Sequence, residues 1–97
     1  MYAQLSNAKR KAIYRRDGFQ CAACGSHRYL QIHHYIHRGH GGSDTPHNLI
    51  TLCSDCHALA HGINLFGHPD FTQADMEQII VEYLADMYAP NWNPWGR

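Results

Sequence analysis

The chain has 97 residues, a formal net charge of zero at pH 7, 44% hydrophobic residues and 16% charged residues. This length accommodates one domain, and the composition is typical of a folded protein rather than a disordered one. The sequence shows neither an apolar stretch long enough to span a bilayer nor the layout of a secretion signal, so we expect a cytoplasmic protein without membrane contacts. Zero net charge also argues against binding to a polyanion by electrostatics alone.

The N-terminal segment predicts a short helix over residues 6–16. Ser6 can cap its N-terminus, and Asp17-Gly18 is a stop signal. Five cations lie on this helix, whereas acidic residues concentrate in the C-terminal third of the chain. We therefore expect one basic face, with an ordinary solvated helix face as the alternative. The five cations are Lys9, Arg10, Lys11, Arg15 and Arg16.

Two Cys-x-x-Cys turns follow, and they flank a predicted hairpin. Cys21 and Cys24 form the first pair and Cys53 and Cys56 the second, with 28 residues between the pairs. Two such turns can donate four thiolates to one tetrahedral zinc ion, which predicts a closed structural site. Its binding would contribute on the order of 10–16 kcal/mol to folding. The alternatives are a pair of disulfides, disfavoured without a secretory signal, and a redox-active dithiol.

Between and after these pairs the pattern predicts a hairpin followed by a helix. Residues 29–36 are rich in β-branched and aromatic residues and predict a strand. Residues 37–47 are rich in glycine and other turn residues and predict a loop, and residues 49–52 predict the returning strand. A helix should begin near Ser54 and end at Gly62.

The sequence contains nine histidines, far more than is usual for this length. His57 and His61 are four residues apart, which on a helix places both on one face. His33 and His34 are adjacent in the predicted strand, so their side chains point to opposite faces. If the hairpin packs on the helix, His33 completes a cluster of three imidazoles. Three protein ligands with open positions are typical of a catalytic metal site.

The other histidines have weaker patterns. Isolated histidines are usually surface residues or satisfied polar groups, and we adopt this interpretation for three of them. Two more lie in the loop beside the proposed cluster, and for these both interpretations stay open. The first group is His27, His47 and His68, and the second is His37 and His40.

The C-terminal third predicts one amphipathic helix over about residues 72–89. Thr72 and Asp75 resemble a capping box, apolar residues follow at helical spacing, and Pro90 bars continuation. We expect this helix to pack on the core and the tail, residues 90–97, to cap the core with its two tryptophans.

In order and spacing these motifs resemble the HNH endonucleases, over about residues 8–62. The residues that carry the resemblance are Cys21-x-x-Cys24, His33-His34, Gly41-Gly42-Ser43-Asp44, His47-Asn48 and Cys53-x-x-Cys56-His57-x-x-x-His61. The resemblance is to the zinc-stabilised branch of the family. It implies a small α+β fold with a ββα-metal (His-Me finger) core, a structural zinc on the four cysteines and flanking N- and C-terminal helices. Residues 1–97 would then form a single nuclease domain.

The resemblance also implies the activity and a role for each site residue. His34 takes the position of the general base, and Asn48 that of the residue that braces the loop and keeps His34 oriented. His33, His57 and His61 take the positions of the ligands of one catalytic divalent ion. The implied activity is hydrolysis of DNA, by nicking or double-strand cleavage, in a bacterial or phage-infected cell.

The resemblance also bears on the identity of the metal, and the positions of the cations suggest the DNA contacts. Many members have Asp where this chain has His33, and an all-imidazole site suits Mn²⁺, Ni²⁺, Co²⁺ or Zn²⁺ better than Mg²⁺. We therefore expect more activity with Mn²⁺, Ni²⁺ or Co²⁺ than with Mg²⁺. Arg38 could reach the scissile phosphate, and the five cations of the N-terminal helix could follow the DNA backbone.

Two other functions stay open. One is a zinc-clamped module that binds DNA or protein with weak or no catalysis, although such a module would be expected to lose His34 or a metal ligand. The other is a redox sensor that uses the cysteine pairs. A homodimer and a larger protein partner both stay open as additions to DNA.

Overall fold

The computed structural model describes residues 5–64 and 71–95, which contain three α-helices and a two-stranded sheet. This is a small α+β arrangement in which a hairpin runs directly into a helix, as the ββα-metal fold requires, and the predicted fold class is confirmed. Two short 3-10 turns, Arg38–His40 and Pro46–Asn48, lie in the loop between the strands. The elements are α1 (Asn7–Arg16), β1 (Leu30–His34), β2 (Leu49–Cys53), α2 (Ser54–Ala60) and α3 (Gln73–Met87).

The strands β1 and β2 pair antiparallel, with Leu30 opposite Cys53 and His34 opposite Leu49. Every residue of β2 is buried, whereas β1 buries only His33. The sheet therefore presents β1 to the surface and uses β2 to anchor the core, and His33 is the member of β1 that reaches inward.

Strand β1 is shorter than the predicted strand of residues 29–36. Tyr29 has a left-handed backbone (φ 53°), so regular pairing begins only after it. Beyond β1, the N–H groups of Tyr35 and Ile36 donate to the carbonyl and the side chain of Asn48, at 2.9 and 2.7 Å. Where the loop begins, the side chain of Asn48 thus accepts the hydrogen bond that a backbone carbonyl of the partner strand would otherwise accept.

The core lies between the hairpin, α2 and α3. Helix α3 contributes one buried residue per turn, and the capping box of Thr72 and Asp75 at its start is formed as predicted. Burying an aliphatic side chain of this size stabilises a fold by about 1.5–3 kcal/mol. The fully buried aliphatic side chains and methionine are Leu49, Ile50, Leu52, Leu59, Met76, Ile80 and Leu84.

The ends of the last two helices differ from the prediction by one or two residues. Gly62 has a left-handed backbone (φ 89°), and the N–H groups of Gly62 and Ile63 donate to carbonyls of α2, which ends that helix at Ala60. His61 therefore follows α2 as its C-cap residue. Helix α3 begins after its N-cap, Thr72, and stops two residues before the predicted end.

A buried carboxylate joins α1 to the rest of the fold. Asp17 is 4% exposed and accepts hydrogen bonds from the N–H of Thr51 (2.9 Å) and the hydroxyl of Tyr83 (2.8 Å). Arg16 donates to both of its oxygens, at 2.8 and 2.9 Å. Burial, together with the hydrogen bond to Asp17, raises the pKa of Tyr83 to about 12. The sequence showed Asp17 only as a stop signal, so this role was missed.

The tail packs on the loop and on the core. The indole N–H of Trp92 donates to the carbonyl of His47 at 2.8 Å, and its ring is partly buried against the core, whereas Trp95 is exposed. His68 and the last two residues lie outside the described part of the chain. None of the described helices has the length and apolar character needed to cross a membrane.

Candidate active site

The two Cys-x-x-Cys turns meet in one four-cysteine cluster. The sulfur atoms of Cys21, Cys24, Cys53 and Cys56 all lie within 4.8 Å of one another, and those of Cys24 and Cys53 are 3.6 Å apart. Three of the four cysteines are buried, and Cys24 is exposed. The four cysteines are therefore placed to bind a metal ion, as the sequence predicts.

Local hydrogen bonds shape both turns. In the first turn, the carbonyl of Cys21 accepts from the N–H of Gly25 at 2.8 Å. In the second, the sulfur of Cys53 accepts from the N–H of Cys56 and caps α2. The hydrogen bond between Cys56 and Cys21 lowers the pKa of Cys21 to about 4 and raises the pKa of Cys56, so of these two sulfurs Cys21 is the one that favours the thiolate, the metal-binding form of cysteine.

On the other side of the hairpin, β1 and the end of α2 bring three histidines together, here called the imidazole cluster. One ring nitrogen each from His33, His57 and His61 lies within 4.8 Å of the others. The Nε2 atoms of His57 and His61 are 3.1 Å apart. Nitrogens bound at about 2.0–2.1 Å to one ion must be close neighbours, so these distances fit a metal site.

The electrostatics of the imidazole cluster favour neutral rings. Burial, with repulsion from the nearby imidazoles as the second cause, lowers the pKa of His33 to about 3. Burial also lowers the pKa values of His57 and His61, again with a contribution from neighbouring rings. Neutral imidazoles keep a lone pair on one nitrogen, so the cluster is ready to accept a cation at neutral pH.

A residue that the sequence prediction missed supports this cluster. The side-chain oxygen of Gln31 contacts Nδ1 of His57. An amide oxygen only accepts, so Nδ1 carries the proton and Nε2 presents its lone pair to the cluster. Gln31 and His33 are two residues apart in β1 and share a face, which is the signal that could have indicated the contact.

His34, the neighbour of His33 in β1, lines the same cleft as the imidazole cluster and is held by a carboxylate. Its Nε2 lies 2.8 Å from an oxygen of Asp44, which only accepts, so Nδ1 is left as the acceptor nitrogen. Arg38 donates to both oxygens of Asp44, at 3.0 and 2.9 Å. The hydrogen bond from Arg38 holds the pKa of Asp44 below its usual value. Asp44 was part of the family pattern but had no predicted role.

Asn48 connects the two ends of the loop that follows His34. Its side chain is fully buried, accepts from the N–H of Ile36 (2.7 Å), and donates to the carbonyls of Ile36 (3.0 Å) and Ser43 (2.8 Å). Gly42 packs so closely that a Cβ atom there would lie 1.7 Å from the Ile36 carbonyl oxygen. These contacts connect the start of the loop, at Ile36, with its later part, at Ser43.

The predicted cations differ in what they contact. Arg16 donates to Asp17, to the carbonyls of Pro46 and Leu49 and to the Tyr88 hydroxyl, so its guanidinium serves the fold rather than an exposed basic face. This corrects the expectation that it follows a DNA backbone. Lys9, Lys11 and Arg15 are exposed, Arg10 is half-buried beside β1, and Arg38 lines the cleft while paired to Asp44.

Of the remaining histidines, His37 lies beside the imidazole cluster. Its ring centroid is 5.0 Å from that of His61, and His40 is 5.9 Å from His37. His27 contacts the carbonyl of Phe19, and His47 stacks on Tyr88 with centroids 4.1 Å apart. Neither of these last two contacts involves a member of the four-cysteine cluster or of the imidazole cluster, and Nδ1 of His47 is buried without a hydrogen-bond partner among the described residues.

Two comparisons with known proteins each match part of this chain. Residues 21–62 match the family model of the HNH endonucleases, which confirms the predicted resemblance over this segment. A stretch of 33 residues is 46% identical to the type IV methyl-directed restriction enzyme EcoKMcrA of Escherichia coli (strain K12). That match covers 34% of this chain and only 12% of the relative. Helices α1 and α3 lie outside the segment that the family model matches.

Proposed function

We propose that the protein is a metal-dependent endonuclease that hydrolyses DNA phosphodiester bonds, and that residues 21–62 form its HNH endonuclease segment. The observation that carries the proposal is that the imidazole cluster and His34 line one cleft of about 380 Å³. A binding module or a redox sensor would need no such juxtaposition. The relative's description as a restriction enzyme supports DNA as the substrate.

His34 is the general base in this proposal. Its neutral imidazole accepts a proton from the attacking water at Nδ1, while Asp44 holds the Nε2 proton and stabilises the cation that forms. Asn48 acts through the loop: its three side-chain hydrogen bonds keep the segment after His34 in one conformation. Asn48 is therefore a positioning residue and His34 the catalytic one.

His33, His57 and His61 would hold one divalent ion. The fit rests on three neutral imidazoles in ligand-forming proximity, one of them buried. When bound, the ion would supply positive charge where the leaving oxygen develops negative charge. An all-imidazole set suits Mn²⁺, Ni²⁺, Co²⁺ or Zn²⁺ better than Mg²⁺.

The four-cysteine cluster would hold a structural zinc ion, because four sulfur ligands leave no position open for a substrate. Three exposed cations of α1, Lys9, Lys11 and Arg15, would contact DNA phosphates. One cleft cuts one strand at a time, so a single chain would nick DNA, and double-strand cleavage would need a second copy or a larger partner. The substrate would be met in the cytoplasm of a bacterial or phage-infected cell.

Incubation of supercoiled plasmid with the zinc-loaded protein and each divalent ion tests this function. We expect nicked circles, formed faster with Mn²⁺, Ni²⁺ or Co²⁺ than with Mg²⁺. His34→Ala should slow cleavage by about 100-fold or more, the usual contribution of a general base. His27→Ala, a histidine outside the cleft, is the matched control and should cleave like the unmodified protein.

Three results would count against this account. If no ion supports cleavage while plasmid is retarded on a gel, the chain is the catalytically weak zinc-clamped binding module. If His34→Ala cleaves at the unmodified rate, another group is the base. Equal or faster cleavage in Mg²⁺ would contradict the three-imidazole ion site.

A further inference from the structure

A second pocket, here called the side pocket, opens between α1 and β1 next to the catalytic cleft. Its volume is about 330 Å³. The side pocket and the cleft are contiguous, because four residues line both of them. These shared residues are Ile32, His34, Arg38 and His57.

Three of the five residues that line the side pocket alone are aliphatic or aromatic. Leu5 and Leu30 contribute aliphatic surface, and Tyr14 contributes an aromatic ring whose hydroxyl donates to the carbonyl of Leu30 at 3.4 Å. The side-chain amide of Gln31 also lines this pocket, and its oxygen contacts His57. The hydroxyl of Tyr14 and the side-chain oxygen of Gln31 already have hydrogen-bond partners. Such walls suit the face of a sugar or nucleobase and do not distinguish one base from another.

Arg10 supplies a cation to this pocket. Its Nε atom is buried and has no hydrogen-bond partner among the described residues. Arg16 and Arg38, in contrast, each donate to a carboxylate, Asp17 and Asp44 respectively. Arg10 has no carboxylate partner among the described residues, so its guanidinium stays available to an anion, and a phosphate oxygen is the acceptor that guanidinium groups bind best.

The size and position of the side pocket limit further which molecule it can bind. Small-molecule sites span about 300–1,000 Å³, and a pocket of about 330 Å³ is at the lower end of that range. It has room for a single nucleotide but not for a base pair. Because His34 lies on the shared wall, the occupant would adjoin the phosphate that His34 acts on.

We propose that the side pocket binds one unpaired nucleotide of the cleaved DNA strand, with its nucleoside against Leu5, Tyr14 and Leu30 and its outer phosphate on Arg10. This inference rests on the proposed endonuclease function and adds a substrate class to it. Extruding a nucleotide from a duplex costs unstacking and unpairing free energy. A nucleotide in a bulge or a single strand is already unpaired, so most of this cost does not arise. The enzyme therefore prefers DNA with an unpaired nucleotide beside the cut.

A binding experiment tests the side pocket without any cleavage. Thymidine 3′,5′-bisphosphate is titrated into the zinc-loaded full chain, and backbone amide shifts are followed by NMR. We expect the largest shifts at Arg10, Leu30 and Ile32. Arg10→Ala should weaken binding about tenfold and Arg10→Lys less, because lysine keeps the charge and loses the fork of donors.

Arg28→Ala is the matched control for this titration, since it removes the same charged group from an exposed position that does not line the side pocket. It should leave the affinity for the bisphosphate within about twofold of the unmodified value, as a surface charge outside the site would. Equal weakening by the Arg28 and Arg10 variants would overturn the proposal in favour of general electrostatics. Unchanged affinity in Arg10→Ala, or shifts elsewhere in the protein, would overturn it as well.

A cleavage experiment tests the substrate preference. Two duplexes of the same sequence are compared, one fully paired and one with a single-nucleotide bulge. We expect cutting beside the bulge to be about tenfold faster or more, and Arg10→Ala to reduce this ratio towards one while Arg28→Ala preserves it. Equal rates on both duplexes would overturn the preference. If the bisphosphate binds as expected but neither duplex is cut with any ion, the endonuclease function fails and the nucleotide site stands.

Discussion

The two metal-binding candidates of this protein differ in how far the chain encloses them. The four-cysteine cluster offers four sulfur ligands, and three of its cysteines are buried. The imidazole cluster offers three nitrogens, only His33 is buried, and its remaining side faces a cleft. A complete ligand set has no position for a substrate, whereas an incomplete one does. The four-cysteine cluster therefore suits a structural ion, and the imidazole cluster suits an ion that meets a substrate.

We expect the imidazole cluster to depend on the four-cysteine cluster, whereas the four-cysteine cluster should not depend on the imidazole cluster. The four-cysteine cluster connects the turn before β1 with the start of α2, and these two elements carry His33 and His57. Loss of the first cluster should therefore dismantle the second. Loss of the imidazole cluster should leave the cysteines and the core in place.

The largest expected effect comes from Cys56→Ser. Zinc contributes on the order of 10–16 kcal/mol in small metal-folded domains, as much as the total stability of a typical domain, so this variant should lose cooperative folding. Thermal denaturation followed by circular dichroism measures the change. Ser54→Ala, two residues earlier and outside the cluster, serves as the control. A cooperative transition at the unmodified temperature in Cys56→Ser would contradict the structural role of this cluster.

His57→Ala should separate the two clusters. We expect it to abolish binding of Mn²⁺ or Ni²⁺ at the imidazole cluster, measured by calorimetry, and to lower the free energy of unfolding by less than about 2 kcal/mol, because His57 is only half-buried. His27→Ala should change neither quantity. If His57→Ala unfolds as Cys56→Ser does, both clusters are structural and the proposed difference between them is wrong.

Gln31→Ala tests whether a contact outside the ligand set orients one of the ligands. Without the amide oxygen on Nδ1, His57 is free to rotate and to change tautomer, and ion affinity should fall about 10–100-fold. Gln31→Glu, which keeps an acceptor, should restore most of it. Calorimetric titration gives both affinities. An unchanged affinity in Gln31→Ala means that the contact does not orient His57.

Asp44→Asn should have the smallest effect and should act on rate alone. The amide stabilises a protonated His34 less well than the carboxylate does, so cleavage should slow several-fold. The affinity of the imidazole cluster for its ion should stay the same. A loss of ion affinity equal to the loss of rate would show that Asp44 supports the imidazole cluster rather than His34.

Local spacing was enough to predict the elements and the two clusters. The paired Cys-x-x-Cys turns, the four-residue separation of His57 and His61, and the capping box at Thr72 each involve residues whose relation is fixed by a turn or a helix. The position of His33 in the cluster followed from assuming that the hairpin packs on α2. The family pattern then supplied Asn48, whose three side-chain bonds are not visible in any periodicity.

Contacts between distant segments were not predictable in the same way. Gln31 meets His57 across 26 positions, and Asp17 meets Tyr83 across 66. Neither pair has a spacing rule, because tertiary packing brings the partners together. The same packing explains Arg16: in sequence it is one of five cations on a helix, and in the fold its guanidinium is engaged by Asp17 and two carbonyls.

Titration of the metal-free, reduced protein with Co²⁺ tests the central claim of two distinct ion sites most directly. The account predicts two ions per chain: a first with the intense near-ultraviolet absorption of thiolate ligands, and a second without it. The second ion should be missing in His57→Ala while the first is retained. A single ion per chain, or a second ion that survives in His57→Ala with unchanged affinity, would contradict the account.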